Sequence, residues 1–250
     1  MNASDNPIFD RLTAAEQEMC NHYIELGNNA DFVKKGIAFC YDNPAHGILL
    51  TGMNPSGKGG EVVYYTSKEA LEFPTKGYWM DKKKQIVGND GWLLDNTAYL
   101  DFFPYFESIQ DDYEKAVRPH IDFQVKALEI TQKNIEEHIQ PRLIIAANAA
   151  AAYYWGFRPE TTWLGYDFIK VVDVPESLRN TRIELYQINP ANGFRKETDR
   201  VGQDKYQTTN IKGAYFIPYA MYDDRHYTTC PDKVLSPQLV KEIFEWIDEQ

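Results

Sequence analysis

The sequence predicts an α/β fold built around a largely parallel sheet. Short apolar runs alternate with amphipathic helical patterns, as they do where helices pack on the faces of a parallel sheet. The runs are bounded by glycine or proline, as buried strands are. The 250 residues are 43% hydrophobic and 14% aromatic, which suffices for the core of one domain and excludes a disordered chain.

In chain order, Thr13-Ala14-Ala15-Glu16 reads as a capping box that opens a helix running to a stop at Gly27. Residues 46–51 (HGILLT) read as a first buried strand. Residues 54–60 hold Pro55, Gly57, Gly59 and Gly60 and must form a loop. Residues 99–103 read as a second strand, closed by Pro104. Pro119 opens a long helix with Ile121, Val125, Leu128, Ile135 and Ile139 on one face, and Pro141 ends it. Residues 143–147 read as a third strand, leading into an alanine-rich helix that ends near Gly156. Strands follow at 168–174, 183–188 and 214–219, with polar loops between them. Ser236-Pro237 caps a last helix with a stripe of Leu239, Val240, Ile243, Phe244 and Ile247. One domain is expected over 1–250, with a polar insertion around 160–212.

Composition bounds the function. The formal net charge of −11 argues against a uniformly basic surface, though not against a local basic groove. Cys20, Cys40 and Cys230 form no CxxC pair and no even set, so neither a disulfide framework nor a cysteine zinc site is expected. His22, His46, His120, His138 and His226 show no ligand spacing. No metal and no cofactor are expected. The first residues, MNASDNPIFD, lack a basic and an apolar segment, and the longest apolar stretch, 143–155, is too short for a bilayer and contains Asn148. A cytoplasmic protein with no membrane partner is the expectation.

In open α/β sheets ligands bind beyond the carboxyl ends of the strands. Three strands carry unusual residues there: Gly52-Met53-Asn54-Pro55, Asp101, and Pro218-Tyr219. The first of these loops has two chemical readings beside that of a flexible turn. Gly52 to Gly57 followed by Lys58 fits the G-x-x-x-x-G-K of a phosphate loop, but Gly59 stands where that motif needs the Ser or Thr that holds magnesium. The following GGEVVYY is also a poor helix start.

Alternatively, Gly52-Met53-Asn54-Pro55 resembles the water-activating motif of the uracil-DNA glycosylase superfamily, closest to its single-strand-selective and mismatch-specific branches. The resemblance continues in order and spacing over about residues 47–227. Residues 99–104 (YLDFFP) lie where the family has a strand ending in an asparagine, residues 141–152 resemble its third strand and small-residue helix, and residues 215–219 fall at its His-Pro-Ser motif. Only the first motif is specific.

The resemblance implies a three-layer α/β/α fold with a central, mostly parallel four-stranded sheet. It implies a DNA glycosylase-like protein of base excision repair, a hydrolase of the N-glycosidic bond with single-stranded DNA or a flipped damaged base as partner. In that reading Asn54 orients water toward C1′. The base lies among Gly52, Met53, Pro55, Ser56, Asp101, Phe102, Pro218 and Tyr219, with Tyr64 or Tyr65 as a stacking floor. Lys58, Arg225 and His226 would touch DNA. Each residue also has a plainer reading: Asn54 capping its own loop, the tyrosines packing in the core, Asp101 capping or ion-pairing with a neighbouring element. Lys82-Lys83-Lys84 and Arg195, Lys196, Arg200 and Lys205 read mainly as solvated surface.

Two positions depart from the family. An ionised Asp101 only accepts hydrogen bonds, so it repels uracil O4 and favours an exocyclic amino group unless burial keeps it protonated. Ile217 stands where a histidine would donate to the leaving base. Weak or no activity on plain uracil is expected. The alternatives are a non-catalytic nucleotide- or nucleic-acid-binding protein on the same fold and, less favoured, a phosphate-loop-like enzyme.

Overall fold

The computed structural model describes residues 1–2, 6–55, 62–72, 83, 85–107, 110–158, 160, 162–196, 199–219 and 231–250. Helix α1 (Ala14–Asn28) opens on the expected capping box: the Thr13 hydroxyl accepts from Glu16 N at 3.3 Å, and the Glu16 carboxylate accepts from Thr13 N at 2.9 Å. Gly27 is not its stop. The helix runs on to Asn28, and a Cβ at Gly27 would stand 2.8 Å from the Tyr105 ring. That glycine therefore serves close packing.

The strands are β1 (Ile37–Tyr41), β2 (Ile48–Gly52), β3 (Val62–Thr66), β4 (Thr97–Asp101), β5 (Leu143–Ala146), β6 (Phe168–Lys170), β7 (Tyr186–Ile188) and β8 (Tyr215–Pro218). Six of them form one sheet in the order β4-β2-β5-β8-β7-β6. β4, β2, β5 and β8 are mutually parallel, whereas β7 is antiparallel to both β8 and β6. The sheet is thus mixed and wider than the four mostly parallel strands expected. The insertion supplies the extra pair and covers the β8 edge, which would otherwise present unpaired backbone groups. β1 and β3 form a separate parallel pair that the sequence reading missed.

Helices lie on both faces. Leu49, Leu100, Ile144 and Phe216 point into one core, with α1, α5 (Ile121–Asn134) and α6 (Ala149–Tyr154). Leu50, Tyr99, Ile145 and Ile217 point into the other, with α2 (Ser67–Glu72), α3 (Gly91–Asn96), α7 (Glu176–Arg179) and α8 (Pro237–Asp248). This alternation is the period of two that a strand imposes. Ser236 caps α8 as expected, its hydroxyl accepting from Leu239 N at 3.2 Å. Helix α4 (Gln110–Val117) precedes α5.

The stripe of α5 departs from expectation at its start, where Ile121 is exposed; Phe123, Ala127, Leu128 and Thr131 carry the buried face. The helix widens into a π turn over Ile135–Ile139 and ends at Gln140 in the left-handed region. Glu136 in that turn is fully buried. Its carboxylate accepts from the Tyr166 hydroxyl (2.7 Å), the Thr209 hydroxyl (2.6 Å) and Asn210 N (2.7 Å). These bonds fasten the insertion to the rest of the protein. Among the described residues no helix is long and apolar enough to cross a membrane.

Candidate functional site

Strands β2 and β4 end level with each other, Gly52 standing opposite Asp101 in the parallel register. The ladder continues past both ends: Phe102 N donates to Gly52 O at 3.2 Å and Phe103 N to Met53 O at 3.0 Å. The Gly-Met-Asn motif and Asp101 therefore finish adjacent strands at the carboxyl edge of the sheet. Alternation then separates the neighbours. Asp101 takes the face of Tyr99, two residues before it, while Gly52 beside it carries no side chain. Phe102 and Met53 point to the opposite face, where Phe102 packs on Trp155 at 5.7 Å and Tyr154 at 6.0 Å. Those two side chains belong to the core.

Asn54 is partly exposed, and its amide donates to the carbonyl of Pro55 at 3.3 Å. Pro55 is buried, and the same carbonyl accepts from Glu107 N at 3.1 Å. The loop-capping arrangement is thus present at Asn54. Ser56, Lys58, Arg225 and His226 lie outside the described residues. The chain beyond 61 is strand β3, not a continuation of the helix that a phosphate loop would start at Lys58.

The register of β1 with β3 separates the two candidate floor tyrosines. Tyr64 pairs with Phe39 and joins the α1 side, its hydroxyl 3.6 Å from Cys20 Sγ. Tyr65 pairs with Cys40 and joins the side of Tyr99. Desolvation, with Cys40 and Asp101 adding to it, holds the Tyr65 hydroxyl well above the ordinary tyrosine range. Only Tyr65 shares the face of Asp101.

At the end of β8, Pro218 stands opposite Ala146, and Tyr219 N donates to Ala146 O at 2.9 Å. Tyr219 is buried, with its hydroxyl accepting from Leu235 N at 3.2 Å. It fastens the chain before α8 to the sheet. Ile217 is a core residue of the strand interior.

One residue of this region escaped the sequence reading in its role. Lys83 belongs to a run that reads as solvated surface, yet it is only 5% exposed. Its ammonium lies 3.4 Å from the centroid of the Tyr99 ring and donates to Ala70 O at 3.2 Å. The Tyr99 hydroxyl donates to Asp101 Oδ2 at 2.9 Å. Burial pushes Asp101 up to about 6, opposed by the Lys83 charge and the Tyr99 bond. Burial brings Lys83 down to about 8, opposed by the charges of Asp101 and Cys40. A signal for Lys83 existed: Ile86 and Val87, three and four residues on, are both buried, so the inward face of that turn includes position 83. Lys82 and Lys84 lie outside the described residues.

The second oxygen, Asp101 Oδ1, is fully buried and has no hydrogen-bond partner among the described residues. An acceptor buried in this way costs about 1–3 kcal/mol unless something donates to it. The site thus joins a partly exposed asparagine to a half-satisfied carboxylate at one sheet edge.

Three basic residues of the insertion make contacts within the protein. Arg195 donates to the carbonyls of Arg158 and Gly156, and Arg200 lies 3.5 Å over the Phe194 ring. Lys205 pairs with Glu129 at 3.5 Å. Among the described residues no group of three or more His, Cys, Asp or Glu could hold a metal ion. No protein-family model matches this chain, and neither a curated protein nor a solved structure matches it.

Proposed function

We propose that this protein is a DNA glycosylase-like protein of the uracil-DNA glycosylase type, binding a flipped or single-stranded base at the paired ends of β2 and β4. One observation carries the reading: Gly52 stands in register with Asp101 on adjacent parallel strands, side by side at the carboxyl edge. Those are the two motifs the reading needs together. Support also comes from the mutually parallel strands β4, β2, β5 and β8, although they belong to a six-stranded mixed sheet rather than to the four-stranded one that the resemblance implies. Asn54, partly exposed at the edge, orients water toward C1′. Tyr65 is the stacking partner, because it shares the face of Asp101. An asparagine is a weak base, which suffices where the sugar becomes cation-like before water attacks.

A second reading, a base-binding protein that does not cleave, is favoured by the Asn54 amide bonding its own loop carbonyl and by Ile217, which has no group to donate to a departing base. The test is a panel of single-stranded and duplex oligonucleotides, each with one altered base, incubated with the protein and then cleaved in alkali. Abasic sites that disappear with Asn54→Ala support hydrolysis. Specific binding without abasic sites supports the second reading. On plain uracil the expected excision is weak, since loss of a single transition-state donor costs about 10²–10³ in rate.

A further inference from the structure

We infer that the cavity between α1, the end of β1 and the π turn after α5 binds a small neutral heterocycle whose edge carries a hydrogen-bond donor beside an acceptor, as a nucleobase or its nucleoside does. The inference does not rest on the base site at the ends of β2 and β4. The cavity holds about 430 Å³, within the range of small-molecule sites. It lies at the opposite edge of the sheet. Asn43 precedes β2, Ile139 precedes β5, and His46 N donates to Ile139 O at 2.8 Å just before β2 begins.

Asn134 carries the argument. It ends α5, lines the cavity and is only 8% exposed. Its side-chain amide makes no hydrogen bond with the described residues, which is a cost to folding unless something else completes it. Neither amide atom is fully enclosed, so a ligand can reach both. The π turn that follows brings His138 and Ile139 to the same cavity, and such widenings of a helix are frequent at functional sites.

The walls define the ligand. Glu16 and Asp42 stand against Arg11 and His138, so there is no excess of positive charge to hold a phosphate or another polyanion. Glu16 is already taken up, its carboxylate accepting from Thr13 N (2.9 Å), the Thr13 hydroxyl (2.8 Å) and Asp42 N (2.7 Å). Met19 and Ile139, both buried, offer apolar surface to a flat ring. The Asn134 amide offers N–H groups beside a carbonyl oxygen. An adjacent acceptor and donor on a ring edge engage both, as an asparagine does with adenine. Asn43 adds donors, because its Oδ1 accepts from Tyr99 N at 3.0 Å and its N–H groups are left for the ligand.

The experiment is a titration of the isotope-labelled full-length protein, followed by NMR. The probes are 9-methyladenine and 1-methyluracil for a free base, adenosine for a nucleoside, and inorganic phosphate. At least one neutral probe is expected to bind and to shift the side-chain amide signals of Asn134 and Asn43, whereas phosphate shifts neither. Asn134→Leu weakens that binding at least about tenfold, the discrimination that a bidentate contact gives. It does so without lowering the melting temperature, since the amide it removes has no partner to lose. Asn54→Ala leaves the binding unchanged. Should Asn134→Leu fail to fold, the amide signals of the unaltered protein decide. Binding of none of the neutral probes overturns the inference, as does binding that leaves both amide signals in place or a response to phosphate instead. Binding that survives Asn134→Leu and disappears with Asn54→Ala belongs to the ends of β2 and β4, which overturns the inference and leaves the base-binding reading intact.

Discussion

Asp101 and Glu136 are both buried carboxylates, and the protein surrounds them in opposite ways. Glu136 accepts from Tyr166, Thr209 and the backbone of Asn210, while the amide of Asn210 donates to the Glu136 carbonyl at 2.8 Å. Among the described residues Asp101 accepts from Tyr99 alone, and its second oxygen is unpartnered. A buried carboxylate with every acceptor occupied does structural work, here fastening the insertion to the helix that precedes β5. One left half-occupied at the edge of a sheet is a cost to folding and an opening for a ligand. Charge alone does not separate these roles, whereas the count of donors does.

The largest expected effect falls on Glu136. Glu136→Ala leaves the buried Tyr166 and Thr209 hydroxyls, and the backbone N–H of the exposed Asn210, without their acceptor. The expected loss is about 2–6 kcal/mol, at about 1–3 kcal/mol for each buried hydroxyl left without a partner, or roughly 4–24 °C in melting temperature at about 2–4 °C per kcal/mol for a chain of this size. Thermal unfolding followed by circular dichroism measures it. A variant within a degree of the parent would remove the distinction between the two carboxylates.

Asp101 is expected to behave in the opposite sense. Its folded-state value is raised to about 6 from an ordinary 3.8, so the folded protein binds the proton more tightly than the unfolded chain. The associated stability is fully present below about pH 4 and is lost as the pH rises through 6. About two pH units of difference correspond to roughly 3 kcal/mol at most. Urea titrations at pH 4, 5, 6 and 7 should show stability relative to Asp101→Asn falling across this window. A flat difference would mean that Asp101 has the same proton affinity folded and unfolded.

Gly27→Ala is the smaller test, and it concerns packing alone. The added methyl meets the Tyr105 ring, whose hydroxyl is fixed by the Tyr23 carbonyl at 3.0 Å. A loss of about 1–3 kcal/mol follows from overpacking, measurable by the same urea titration. A stabilised variant would show that the methyl group fits and that Gly27 is not kept for close packing.

Particular residues explain what the sequence revealed and what it hid. β2, β4, β5 and β8 were legible because each is an apolar run bounded by a turn or cap signal. The capping residues Thr13 and Ser236 fixed the starts of α1 and α8. β1 and β3 were missed. β1, the run IAFCY, has no alternation to mark it, and β3 follows a glycine-rich loop that drew attention to itself. The insertion strands were legible as strands, but pairing is a long-range property, so the antiparallel extension of the sheet was not. At the site, one residue of offset decided the outcome. Asp101 and Phe102 are neighbours in sequence, and the pleat sends them to opposite faces. Lys83 was hidden because its run gives no sign of which lysine turns inward, and only the later Ile86-Val87 pair does.

The central claim is that a base occupies the paired ends of β2 and β4, and a crystal structure of the protein with a single-stranded oligonucleotide carrying one 2′-fluoro nucleotide, the fluorine slowing cleavage, tests it most directly. The account predicts an N–H of the base within hydrogen-bond distance of Asp101 Oδ1, the ring against Tyr65, and the sugar C1′ facing Asn54. A base bound elsewhere, with Asp101 Oδ1 accepting from a protein group instead, would contradict it.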